Sequence, residues 1–152
     1  MTAPTHSVRH DTFVLERSYP AAVARVWAAF ADPEAKAAWF GAPDAATTER
    51  TVDFRVGGRE VSEAVLDGTS HRFESRYFEI VERSRIVYAY DLYVAGVKLS
   101  TSLTTIELHD EGSGTRLVFT EHGAFYDGHE EPGLRREGTE QLLGTLGAAL
   151  AA

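Results

Sequence analysis

Apolar positions alternate with polar ones through most of this chain. Residues 12–19 alternate, with Phe13 and Leu15 on one face, which predicts a first β-strand. The same period of two, rich in β-branched and aromatic residues and interrupted by glycine turns, runs over residues 49–122. The pattern predicts about seven antiparallel strands.

Three segments show helical spacing instead. Residues 20–31 begin with a proline and gather one apolar stripe, which consists of Val23, Val26, Trp27 and Phe30. Asp32 followed by Pro33 predicts a capped second short helix that extends to about Trp39. Residues 132–151 predict a long last helix whose apolar side includes Leu142 and Leu146.

This order of elements predicts an α+β fold in which a curved antiparallel sheet wraps around the long C-terminal helix. Two short helices follow the first strand. We expect a flexible N-terminal arm over residues 1–11 and a single domain over residues 12–152. A curved sheet that does not close on its helix leaves an apolar cavity, which is the candidate functional site.

Composition narrows the function classes. The chain has 152 residues, 43% hydrophobic and 25% charged, as globular domains do. A formal net charge of -8 argues against nucleic acid and anionic membrane partners. The absence of cysteine excludes disulfides and thiolate metal sites.

Sequence motifs for metals and cofactors are also absent. The six histidines show no metal-site spacing, and no nucleotide, dinucleotide or serine-hydrolase motif occurs, so we expect no metal and no cofactor. The first residues lack an apolar signal core, and no apolar run is long enough to span a membrane. We therefore expect a cytoplasmic protein.

Several ordered blocks between residues 12 and 150 resemble the family related to the activator of the heat-shock protein 90 ATPase. The blocks are Phe13-Val14-Leu15-Glu16-Arg17, Asp32-Pro33-Glu34, Trp39-Phe40-Gly41, Val52-Asp53-Phe54-Arg55, Tyr77-Phe78-Glu79-Ile80-Val81 and Glu121-His122-Gly123. The resemblance implies the START-like, or polyketide cyclase-like (SRPBCC), superfamily and its helix-grip fold. That superfamily includes lipid and polyketide binders, cyclases and co-chaperone domains. The resemblance therefore implies one fold but several possible functions.

Two positions depart from the family pattern. Glu60 stands where an aromatic residue is common, which predicts a carboxylate on the cavity face. Thr139 follows Gly138 where the family often has tryptophan, which predicts a smaller and more polar cavity floor.

Alternation along the strands predicts which side chains face the cavity. The candidate ligand-binding residues are Trp39, Phe40, Phe54, Ser62, Phe73, Tyr77, Tyr88, Tyr90, Leu103, Phe119, Phe125, Tyr126, Leu142 and Leu146. Trp39, Phe40, Phe125 and Tyr126 are expected at the mouth. Residues 123–128 carry two aromatics between glycines and suggest either a lid or an apolar plug.

Glu60, Glu121 and His122 are the candidate acid/base residues. Two carboxylates in one apolar cavity would have raised and separated pKa values, which suits proton transfer. The alternative is that one carboxylate points to solvent or pairs with an arginine such as Arg59, Arg72 or Arg76. The alternative for His122 is that it is a surface histidine without a role in the site.

Three function hypotheses follow. The first is a binding domain without chemistry of its own, which takes a small apolar or aromatic, lipid- or polyketide-like molecule between sheet and helix. The second is a cyclase, aromatase or dehydratase that uses the acid/base candidates in the same cavity. The third is a module that binds another protein, either as a co-chaperone or by forming a homodimer. We expect binding rather than catalysis.

Overall fold

A computed structural model describes residues 6–152 and shows seven strands and three helices in this part of the chain. In chain order they are β1 (Val8–Tyr19), α1 (Val23–Ala31), α2 (Pro33–Ala37), β2 (Ala46–Val52), β3 (Arg59–Leu66), β4 (Thr69–Val81), β5 (Arg85–Val94), β6 (Val97–Asp110), β7 (Thr115–Tyr126) and α3 (Pro132–Ala151).

The strands form one antiparallel sheet with the order β1-β7-β6-β5-β4-β3-β2. Strands β2 to β7 are sequential neighbours, and β1 closes the far edge against β7. The sheet curves around α3, with α1 and α2 early in the chain. This confirms the predicted α+β class and the helix-grip architecture.

Helix α3 packs on the concave face through one seam. Its buried residues recur every three or four positions and are Pro132, Arg135, Thr139, Leu143, Leu146 and Leu150. The Tyr19 hydroxyl donates to the Leu143 carbonyl at 2.8 Å, which ties β1 to the helix. A Cβ at Gly147 would lie 3.2 Å from the Tyr19 ring, so the small residue permits this close approach.

The two short helices form where the sequence predicts them. Asp32 caps α2, since its Oδ1 accepts a hydrogen bond from the Glu34 amide at 3.0 Å, and Pro33 occupies the first turn. The Trp39 indole donates to the Ala29 carbonyl at 2.9 Å and thereby joins the end of α2 to α1.

Strand β1 begins earlier and β7 ends later than predicted. Val8 pairs with Tyr126, and Asp11 pairs with Gly123. The predicted arm over residues 1–11 is therefore wrong for residues 8–11, because backbone pairing needs no apolar side chains. Residues 1–5 lie outside the described residues. The same pairing places residues 123–126 in the sheet rather than in a lid.

Helix α3 has 20 residues, and its first half carries charged side chains. Within residues 6–152, none of the helices combines the length and apolar character needed to cross a bilayer. The cytoplasmic location stays a prediction.

Candidate functional site

A cavity of about 570 Å³ opens between the sheet and the second half of α3. Strands β3, β4 and β5 form one wall, α3 forms the other, and the loop after α2 borders them. The lining residues are Phe40, Gly41, Ala42, Pro43, Ala45, Ser62, Ala64, Leu66, His71, Phe73, Leu92, Gly138, Gln141, Leu142 and Thr145.

Strand alternation and small side chains together create this space. Ser62, Ala64 and Leu66 are alternate residues of β3, so they share the face that points to the cavity. Opposite them on α3, a Cβ at Gly138 would meet no heavy atom of residues 6–152 within 4 Å, apart from its chain neighbours and the backbone of its own helix. Small residues facing each other leave the space empty, whereas protein interiors are normally filled.

Two phenylalanines close the inner end of the cavity. We call Phe40 and Phe73 the aromatic wall; their ring centroids lie 5.2 Å apart, edge to face. Behind the wall, the Phe73 ring lies 4.8 Å from that of Tyr90, and the Lys36 ammonium lies 4.4 Å from the Phe40 centroid. The aromatic wall therefore separates the cavity from a buried polar interior.

The first buried carboxylate, Glu60, belongs to what we call the Glu60 cluster, with Lys36, Arg50 and Tyr77. Its Oε1 lies 2.7 Å from Lys36 Nζ and accepts a hydrogen bond from the Tyr77 hydroxyl at 2.5 Å. Its Oε2 has no hydrogen-bond partner among the described residues, and Arg50 Nη1 lies 4.0 Å away. Burial lowers the pKa of Lys36, although Glu60 opposes this effect, and burial raises the pKa of Tyr77.

The second buried carboxylate is Glu121. Its Oε1 accepts from the Thr104 hydroxyl at 2.8 Å and its Oε2 from the Tyr90 hydroxyl at 2.9 Å. Arg135 Nη1 lies 3.9 Å from Oε2 and donates to the Tyr90 oxygen at 2.9 Å. Burial raises the pKa of Glu121, while the hydrogen bond from Thr104 and the Arg135 charge oppose the rise.

Neither carboxylate lines the cavity. The side chains of Glu60 and Glu121 are 0% and 2% exposed, and their hydrogen bonds join parts of the protein to each other. The alternative of a solvent-exposed carboxylate is wrong, whereas pairing with an arginine is found, although with other arginines than the three named: Arg50 lies 4.0 Å from Glu60 and Arg135 lies 3.9 Å from Glu121. The nearest cation is Lys36 for Glu60 and Arg135 for Glu121.

The predicted ligand-binding residues fall into two groups on the inner side of the sheet. Phe40, Ser62, Phe73 and Leu142 line the cavity. The second group packs into the core, away from the cavity, and comprises Trp39, Phe54, Tyr77, Tyr88, Tyr90, Phe119, Phe125 and Leu146. Trp39 and Phe125 were expected at the mouth; both are buried instead, because Trp39 packs between Phe30 and Phe40 and Phe125 lies under Arg135.

Three predicted site residues lie on the outer face of the sheet. Leu103 is 50% exposed, His122 Nδ1 lies 2.6 Å from the Thr12 hydroxyl, and the Tyr126 hydroxyl donates to Thr101. Their neighbours in the chain point inward, so each assignment was wrong by one residue. His122 therefore cannot act with Glu121 in the cavity.

Sequence reasoning missed the two buried cations. Arg135 is not among the predicted site residues, yet it is 9% exposed and donates to Ser100 and Glu130. Its position four residues before Thr139 and eight before Leu143 places it on the buried seam, and this periodicity could have identified it. Lys36 stands three residues before the buried Trp39, which is a weaker signal of the same kind.

Comparisons with known proteins agree with this architecture. The family model for "Activator of Hsp90 ATPase homolog 1-like protein" matches residues 20–151. No curated protein sequence matches the chain. The structure of an uncharacterized Rhizobium leguminosarum protein is similar, with a TM-score of 0.92 and 39% identity over 97% of this chain and 98% of that one.

Two further solved structures are similar. Mll3558 from Rhizobium loti has a TM-score of 0.87 and 44% identity over 94% of this chain and 99% of that one. DynU16, described as a protein of the dynemicin biosynthetic locus, has a TM-score of 0.69 and 21% identity over 93% of this chain and 48% of that one, which supports the fold alone. Because the family model matches most of this chain, the chain belongs to the Activator of Hsp90 ATPase homolog 1-like protein family.

Proposed function

We propose that this protein binds a small apolar or aromatic molecule in the cavity between β3, β4, β5 and α3. The observation that carries the proposal is the cavity itself. Its volume of about 570 Å³ lies within the range of ligand pockets, and most of its lining residues are apolar. The helix-grip fold, in which such cavities are common, adds support.

The lining favours binding over catalysis. The aromatic wall stands between the cavity and both buried carboxylates, and the hydrogen bonds of Glu121 to Tyr90 and Thr104 occupy both of its oxygens. A general acid or base must reach the reacting group directly or through one water. Proton transfer by Glu60 or Glu121 to a cavity ligand would require the wall to open.

The test uses N-phenyl-1-naphthylamine, an uncharged aromatic probe that fluoresces when it leaves water. We expect saturable fluorescence enhancement with the wild-type protein. Leu142→Trp places a large ring in the cavity and should weaken binding at least about tenfold, because the probe and the new side chain compete for the same space.

The matched control is Leu134→Trp. Leu134 lies on the same helix but is 58% exposed and does not line the cavity, so this variant should keep the wild-type affinity to within about twofold. Absence of saturable binding by the wild type, or equal loss in the two variants, would contradict the proposal.

A further inference from the structure

The polar groups that line the cavity come from both of its walls. Ser62 and His71 lie on the neighbouring strands β3 and β4, while Gln141 and Thr145 lie one turn apart on α3. The Thr145 hydroxyl donates to the Gln141 backbone carbonyl at 3.1 Å, so its hydrogen is already used. Within residues 6–152, the side chains of Ser62, His71 and Gln141 make no hydrogen bond to another protein group, in contrast to Ser70 and Arg72 on the same sheet.

These groups impose a cost on a purely hydrocarbon ligand that covers them, most of all Ser62 and His71, which are half-buried, whereas Gln141 is exposed at the rim. In the empty cavity water can satisfy them, but an apolar molecule that displaces this water leaves donors and acceptors unpaired. A ligand oxygen within hydrogen-bond distance of these side chains replaces the hydrogen bonds that were lost with the water. Serine and glutamine side chains each donate and accept, and a neutral imidazole offers one donor and one acceptor. Hydroxyl and carbonyl groups are therefore both suitable.

The cavity offers no fixed charge to a ligand. Among the described lining residues, none is Asp, Glu, Lys or Arg, and His71 is the one titratable side chain. Arg72, the cation beside His71 in the chain, contacts Glu49, Glu63 and Glu74 instead. A buried ion without a countercharge is strongly disfavoured, and the net charge of -8 further repels anions.

We infer that the ligand is uncharged and amphiphilic. Its apolar or aromatic body packs on the aromatic wall and on Leu92 and Leu142, and one or two neutral oxygen groups bond to Ser62, His71 or Gln141. This inference rests on the proposed function, because it names the ligand class of the same cavity. It excludes fatty-acid carboxylates, phosphate esters and protonated alkylamines as preferred ligands.

The test is competition against N-phenyl-1-naphthylamine by four probes that share one ring system. They are 2-ethylnaphthalene, the ketone 2-acetonaphthone, 2-naphthoate and 2-naphthylmethylammonium, all at pH 7.5. The ketone is less hydrophobic than the hydrocarbon. We nevertheless expect it to bind at least as tightly, because its carbonyl oxygen accepts a hydrogen bond from a polar side chain of the cavity. We expect both ions to bind at least about tenfold more weakly than the ketone.

Variants show whether the cavity's polar groups cause this selectivity. Gln141→Leu, His71→Leu or Ser62→Ala should lower the ratio of ketone affinity to hydrocarbon affinity by about fivefold in at least one case, the value of one neutral hydrogen bond. Glu140→Leu is the matched control, since Glu140 is exposed beside Gln141, pairs with Arg136 and does not line the cavity; its ratio should equal that of the wild type.

The outcomes separate the two proposals. If the fluorescent probe binds but an ion competes best, or no naphthalene competes, or the ratio is unchanged in all three polar variants, the ligand class is wrong and the binding function stands. If the fluorescent probe itself does not bind, the proposed function fails.

Discussion

The space between the sheet and α3 has two regions of opposite character. Behind the aromatic wall, charged and hydroxyl side chains are buried and bonded to one another, as with Glu121 and its partners Tyr90 and Thr104. In front of the wall, the cavity is lined by apolar residues and by three polar side chains that make no hydrogen bond to the described part of the chain. The difference is that the buried charges are bonded within the protein, whereas the polar side chains at the cavity are uncharged, which is what the proposed binding of a neutral ligand requires.

The largest effect should come from breaking the Glu60 cluster. Lys36→Met removes the cation 2.7 Å from a fully buried carboxylate, and we expect the free energy of unfolding to fall by about 3–5 kcal/mol in urea titrations. The double variant Lys36→Met/Glu60→Gln removes both charges and should recover about 2 kcal/mol of that loss.

Lys98→Met is the control for this experiment. Lys98 Nζ lies 3.2 Å from Asp91 on the surface, with the lysine side chain 43% exposed, so the loss should stay below about 1 kcal/mol. Equal losses at Lys36 and Lys98 would show that the Glu60 cluster does not support the fold.

A smaller effect is expected from removing half of the aromatic wall. Phe73 is half-buried against Phe40 and Tyr90, so Phe73→Ala should lower the free energy of unfolding by about 2–3 kcal/mol. Phe78, on the same strand, is 54% exposed, and Phe78→Ala should cost about 0.5 kcal/mol or less. Similar values for the two variants would contradict the separation of the inner and outer faces.

Glu121 should make stability depend on pH. Because burial raises its pKa in the folded chain, the folded state holds the proton more tightly than the unfolded state. Its contribution is therefore most favourable below the unfolded pKa, near 4.5, and declines as pH rises through the raised folded value. As pH falls from 7 to 4, the free energy of unfolding of the wild type should therefore rise relative to that of Glu121→Gln. The expected rise is about 1.4 kcal/mol for each unit by which the folded pKa of Glu121 exceeds its unfolded pKa.

Thr104→Val sharpens this prediction. The variant removes a hydrogen bond to the charged carboxylate, so the pKa of Glu121 should rise further and the pH-dependent part of the difference should grow. If the difference in free energy of unfolding between the wild type and Glu121→Gln stays constant over the whole pH range, the pKa of Glu121 is not raised in the folded state.

The smallest effect is expected at His122. Its ring lies on the outer face, stacked 5.5 Å from that of His10, and does not reach the cavity. His122→Gln should change the free energy of unfolding by about 0.5 kcal/mol or less and leave the affinity for N-phenyl-1-naphthylamine within about twofold. A tenfold loss of affinity would restore His122 as a site residue.

The fold could be predicted because the alternation along most strands follows burial. On β3 and β4, Ser62 and Phe73 face inward as their positions predicted. On β6 the pattern is inverted, since Leu103 points outward while Ser102 and Thr104 point inward. The buried charges cause this inversion because they require hydroxyl partners.

The cavity boundary was harder to predict for a related reason. Whether a tyrosine lines a pocket or fills the core depends on how closely elements distant in the chain approach each other. Tyr88 and Tyr90 point inward as expected, but the aromatic wall places them in the core. Residues 41–45, which border the cavity, belong to a loop without periodicity and carried no signal.

The most direct test of the cavity is a methyl NMR titration with N-phenyl-1-naphthylamine. We expect saturable shifts of the methyl groups of Leu66, Leu92 and Leu142, which line the cavity, with little change at the exposed Leu103 and Leu134. Shifts confined to Leu103 or Leu134, or no saturable shift at the cavity leucines, would contradict the proposed binding in the cavity.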